Sequence, residues 1–63
     1  MSAVTSQLEK VNNWGSFDVL AATGEAQVVE WRTGRIVKEF HGPTATADAD
    51  TWAEELHWIH DLG

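Results

Sequence analysis

Hydrophobic and polar positions follow two different periods along this chain, and the change comes at Gly42-Pro43. Before it, Phe17, Val19 and Ala21 recur at every second position within Ser16–Ala22, which predicts a half-buried strand. Thr23-Gly24-Glu25 follows as a turn. Two further runs, Ala26–Arg32 and Arg35–His41, flank Thr33-Gly34 and predict a second hairpin. Its register is open between two loops. A two-residue loop sets Arg32 opposite Arg35, which like-charge repulsion disfavours. A three-residue loop with Gly34 in a left-handed bulge sets Trp31 opposite Arg35, which cation–π attraction favours. The second register is preferred. Pro43 then ends the sheet, because it has no N–H to donate to a ladder.

Beyond Pro43 the apolar positions fall at helical spacing, predicting a helix over residues 47–62. Thr51 with Glu54 fits a capping box, and Asp48 or Asp50 serve equally well as earlier caps. At 100° per residue, Trp52, Leu56 and Ile59 lie within about 60° of one another, with Ala49 and Ala53 beside them. That is the expected buried stripe. Trp58 falls roughly 120° from its centre, and Asp50, Glu54, His57 and Asp61 occupy the opposite face. At the other end of the chain, Val4, Leu8 and Val11 share one helical face, and Asn12-Asn13-Trp14-Gly15 reads as a stop. A short helix over 3–13 is expected there, with a frayed terminus as the competing reading. The fold class is therefore α+β. We expect one small domain over 1–63, with a three-stranded antiparallel meander, a C-terminal helix on one face and a short N-terminal helix, in the order α-β-β-β-α.

Size sharpens this picture. A chain of 63 residues is near the lower limit for folding alone and normally needs a staple. It has no cysteine, so disulfides, thiolate metal sites and cysteine nucleophiles are excluded. Four tryptophans and two phenylalanines are present instead, and most of these rings are expected in the core. Residues 1–7 show neither a basic n-region nor an apolar h-region, so no signal peptide is expected. No apolar run approaches the length of a membrane span, and a cytoplasmic location is the default expectation.

The net charge of −6 is unevenly distributed. Residues 44–63 hold five acids and no Lys or Arg, whereas residues 1–43 hold five acids against four bases. Phosphate-backbone binding needs clustered cations, so direct nucleic-acid binding is not expected. The acidic helix suits a protein partner with a basic surface, whose encounter complementary charge would steer. Trp58 beside Glu54, Glu55 and Asp61, with Asp50 further up the helix, is the first candidate partner-binding set, since Trp is the residue most enriched at hot spots. The aromatic and cationic hairpin tip, Trp31, Arg32 and Arg35, is the second.

Other chemistry is weaker. His57, His60 and Asp61 lie on adjacent helical turns and His41 could approach them, but this spacing is generic. His57 and Asp61 are more simply a surface pair at i, i+4. No metal, cofactor or catalytic residue is expected, because no nucleophile–base set or phosphate-cradling loop is present. Phe17-Asp18-Val19-Leu20 and Gly24-Glu25-Ala26-Gln27, on the first predicted hairpin, resemble the MbtH-like accessory proteins of peptide synthetases. The resemblance covers about a dozen residues. The WPxF segment and the proline-glycine-tryptophan loop of that family are missing, so no functional residue carries over.

The leading expectation is a non-catalytic acidic protein-binding module. By analogy it suits a phage- or mobile-element-encoded inhibitor that docks on a host nucleic-acid-processing protein, as a nucleic-acid mimic. The alternatives are an accessory subunit that stabilises a larger enzyme, in the MbtH-like manner, and a small metal-binding regulator. A monomer or a weak homodimer through a sheet edge is expected.

Overall fold

The computed structural model describes residues 8–62, with side chains as far as His60. Four antiparallel strands, β1 (Glu9–Trp14), β2 (Phe17–Ala22), β3 (Glu25–Glu30) and β4 (Arg35–His41), form one meander in chain order. A single helix, α1 (Ala45–Leu62), covers one face.

The α+β class and the C-terminal helix stand as read from the sequence, but the N-terminal helix does not. Its first residues, 1–7, lie outside the described residues, and residues 9–13 belong to β1. Gly15-Ser16 is the loop of a tight hairpin that sets Trp14 opposite Phe17. Gly15 takes φ +62°, the left-handed backbone that a two-residue hairpin demands of its loop. Asn13, read as part of a helix stop, instead ties the hairpin. Its amide donates to the Asp18 carboxylate at 2.8 Å and reaches the carbonyls of Gly15 and Phe17 at 3.2 and 3.3 Å. Lys10 adds an ion pair to Asp18 at 3.6 Å. Cross-strand side chains, more than β propensity, hold this exposed strand in place.

The turn at residues 23–25 is shorter than expected, because Glu25 already pairs with Ala22. The second hairpin also corrects the preferred register. Glu30 stands opposite Arg35 across a four-residue loop, Trp31-Arg32-Thr33-Gly34. The Thr33 and Gly34 N–H groups both donate to the Glu30 carbonyl, at 3.2 and 2.9 Å. Gly34 is left-handed as expected, at φ +76°. The cation–π contact to Trp31 comes from Arg32, 5.4 Å from the ring centroid, and not from Arg35. The four-residue loop, closed by these two N–H groups, sets Glu30 opposite Arg35 in place of the expected Trp31–Arg35 pair. Further along β4 an extra residue, Val37, interrupts the ladder and packs against the core.

The helix starts at Ala45, two residues before the expected 47, so Asp48, Asp50 and Thr51 lie inside it and do not cap it. The entry is made by the residues just after the sheet. The Ala45 N–H donates to the Gly42 carbonyl at 3.1 Å, and the Thr44 hydroxyl donates to the Asp48 carboxylate at 2.9 Å. Ala45, Ala49 and Ala53, one turn apart, are buried and meet Phe17, Val19, Ala21, Ala26 and Val28 of the sheet. Their small side chains let the helix lie close on β2 and β3. Trp52 and Leu56 flank this line, half-buried, as part of the expected stripe. Ile59 does not belong to it and is 68% exposed. The stripe is centred on the alanines, and Ile59 lies roughly 80° from that line. The largest side chains buried completely are two valines, Val19 and Val28. Of the aromatic rings expected in the core, Phe17 is buried within it, Trp14, Phe40 and Trp52 pack half-buried against it, and Trp31 and Trp58 are exposed.

Candidate protein-docking surface

The outer face of α1 is set by the alanine line on its inner face. Trp58 lies roughly opposite Ala49 around the helix, and the ring is 49% exposed. Ile59 follows it in sequence. Glu54 and Glu55 precede Trp58 by four and three residues, the spacing at which helical side chains are surface neighbours. Glu55 is exposed and Glu54 is half-exposed. The side chain of Asp61, the fourth carboxylate assigned to this face with Asp50, lies outside the described residues.

Trp58 is held from behind. The His57 ring lies 5.4 Å from it, and Trp14 of β1 lies 6.0 Å from the same imidazole. A half-exposed Trp with a packed support loses less conformational freedom on docking than a loose side chain would. His57, placed by the sequence on the polar face, is thus half-buried between two indoles.

Asp50 serves the fold. One carboxylate oxygen accepts from the Trp14 indole N–H at 2.8 Å and from the Asn12 amide at 2.6 Å, clamping β1 to α1. Among the described acids expected on the docking face, Asp50, Glu54 and Glu55, it is the one with a carboxylate oxygen already engaged.

The hairpin-tip residues do not stay together. The Trp31 indole N–H donates to the Gly15 carbonyl at 2.9 Å, and its backbone N–H donates to the Ser16 carbonyl at 3.2 Å. The ring, 51% exposed, lines a hollow with Lys10, Asn13 and Asp18 on the sheet face away from α1. Arg32 covers that ring. Arg35 instead joins Phe17, Trp52 and Leu56 on the helix-covered face. The second candidate set is therefore divided between the two faces of the sheet.

The three histidines occupy separate surroundings. His41 lies 3.9 Å from Glu39 on β4, His57 lies between the indoles, and His60 meets Phe17 edge-on at 5.4 Å. Among the described residues, no three His, Asp or Glu side chains group to hold a metal ion. No helix among them is long and apolar enough to cross a membrane.

The sequence reading missed the Asn12–Trp14–Asp50 clamp and the exposure of Ile59. A signal for the first was present in Gly15-Ser16, a hairpin dipeptide between two runs with strand-compatible residues. Comparison with known proteins finds no family model that matches the chain, and no curated protein or solved structure significantly similar to it.

Proposed function

We propose that this chain is a non-catalytic protein-binding module that docks through the outer face of α1 on a partner with a basic surface. The reading rests on one observation. Trp58 and Ile59, adjacent in sequence, are 49% and 68% exposed on a helix whose neighbouring outward positions are acidic. An apolar centre within a charged rim is the usual anatomy of an interface, and a supported Trp is its commonest anchor. Glu54, Glu55 and Asp61 supply the rim and steer a cationic partner.

Proteins with a basic groove of this kind include those that process nucleic acids, and a row of carboxylates beside an aromatic ring imitates phosphates beside a base. In that role the module is a cytoplasmic inhibitor. Both edge strands carry a bulge, β1 at Val11 and β4 at Val37, and bulges discourage strand addition. This favours a monomer over a dimer joined at a sheet edge.

The test is capture of a partner on immobilised protein at low and high salt, beside the double variant Glu54→Lys, Glu55→Lys. We expect capture that weakens as salt rises, and a variant that binds more weakly with a flatter salt response. Capture that ignores both salt and charge reversal would remove the acidic rim from the account. It would favour an accessory subunit that docks by apolar contact alone.

A further inference from the structure

A second site lies on another part of the molecule, at the mouth of the cleft between α1 and the end of the β3–β4 hairpin. The cleft, about 300 Å³, has an apolar floor of Phe17, Val37, Trp52 and Leu56. Three polar side chains, Glu30, Arg35 and His60, stand around it. Its volume is at the lower end of the range for small-molecule sites.

The two charged groups at the mouth are directly opposed across the ladder and would ordinarily bridge. They do not. The Glu30 carboxylate accepts from the Thr33 hydroxyl at 3.1 Å, and that same hydroxyl oxygen accepts from the Arg35 backbone N–H at 3.3 Å. Among the described residues, the ion pairs within 4 Å are Lys10–Asp18 and Glu39–His41, so the Arg35 guanidinium has no carboxylate within that distance. A cation and an anion thus stand side by side, unbridged, above an apolar hollow. His60 walls the cleft, its ring fixed edge-on against Phe17.

We infer that this cleft binds a free hydrophobic α-amino acid. Its carboxylate meets the Arg35 fork, its ammonium meets Glu30, and its side chain lies on Trp52, Leu56, Val37 and Phe17. The occupant must carry both charges close together, because either charge alone leaves Glu30 or Arg35 facing an uncompensated neighbour. A carboxylate without an ammonium is repelled by Glu30, and an amine without a carboxylate by Arg35. A residue at either end of a peptide keeps only one of the two charges. Arg35 is exposed, so the charge contacts are partly screened and the affinity is in the millimolar range.

The experiment is an amide and indole NMR titration of the full chain with L-leucine and L-phenylalanine. Their N-acetyl and methyl-ester derivatives and glycine are the comparison ligands. We expect saturable shifts at Val37, Leu56 and the Trp52 indole with the free amino acids. Binding should weaken by at least about tenfold when either charge is blocked, the size expected for losing one charged hydrogen-bonding partner. Glycine should not saturate. Arg35→Gln and Glu30→Gln should each weaken binding comparably, and the ligand series on the native chain decides the matter if a variant misfolds. Three results would overturn the proposal. These are no saturation at the solubility limit, shifts that map away from the cleft, and an N-acetyl or ester form that binds as well as its parent. The last would reduce the site to an apolar hollow that reads no charge, or to one that takes a peptide end.

Discussion

The two halves of α1 face the same sheet and are built differently. From Ala45 to Ala53 the inner face is a line of buried alanines packed on Val19, Ala21, Ala26 and Val28. From Glu54 to His60 the helix carries two histidines, Trp58 and Ile59. Among the described side chains of that half, Leu56 packs half-buried against the core and His60 meets Phe17 edge-on. The first half holds the fold by close approach. The second half puts large apolar groups outward, where they weaken solubility and stabilise little. Under the proposed function, this is the surface that a partner covers. Here the tryptophans divide between the two roles, Trp14 and Trp52 at the rim of the core and Trp31 and Trp58 exposed.

This contrast can be broken most severely from the sheet side. Phe17, 5% exposed, lies where β2 meets both halves, under Trp52, Leu56 and His60. Phe17→Ala should cost about 3–5 kcal/mol, the range for large core aromatics and comparable to the whole stability of such a domain. Urea denaturation checks it, and a cooperative transition near the wild-type midpoint would mean that Phe17 is not central.

The next effect concerns the alanine line. Ala49 is completely buried, and Ala49→Leu should destabilise by about 1–3 kcal/mol through overpacking. Thermal melting that shows stabilisation instead would reveal unfilled space under the helix. Asp50→Ala removes the acceptor shared by Asn12 and Trp14 and should cost about 1–2 kcal/mol. Its signature is local, since hydrogen exchange in β1 should rise more than in β2 and β3. A uniform rise would make β1 an inseparable part of the sheet.

Much of this fold could be read from the sequence because its signals were local. Strand periodicity at Phe17, Val19 and Ala21 marked β2, Gly34 marked the hairpin, and Pro43 marked the end of the sheet. The failures were non-local. β1 has no alternating apolar face, and its place is fixed by Asn13 on Asp18 and by Asn12 and Trp14 on Asp50. Those partners are distant in sequence, so the spacing of Val4, Leu8 and Val11 favoured a helix. A stripe centred on the largest side chains places Ile59 inward. The close approach of helix to sheet centres it on the smallest. Trp58 was legible as an outward residue because it lies about 120° or more from the stripe under either centring. The division of Trp31 from Arg35 was not legible, since it depends on a four-residue loop where the residues suggested two or three.

The smallest stability effect is expected at Trp58, and it decides the central claim. Trp58→Ala should shift stability by under about 1 kcal/mol, as exposed positions do, while weakening partner capture by at least about 2 kcal/mol. The direct measurement is one preparation of this variant beside the native chain, melted and then tested for capture under identical salt. The account predicts coincident melting curves and a capture signal that is largely lost. A variant that melts like the native chain and captures its partner equally well would contradict it, and the docking surface would have to be sought on the Trp31 face of the sheet.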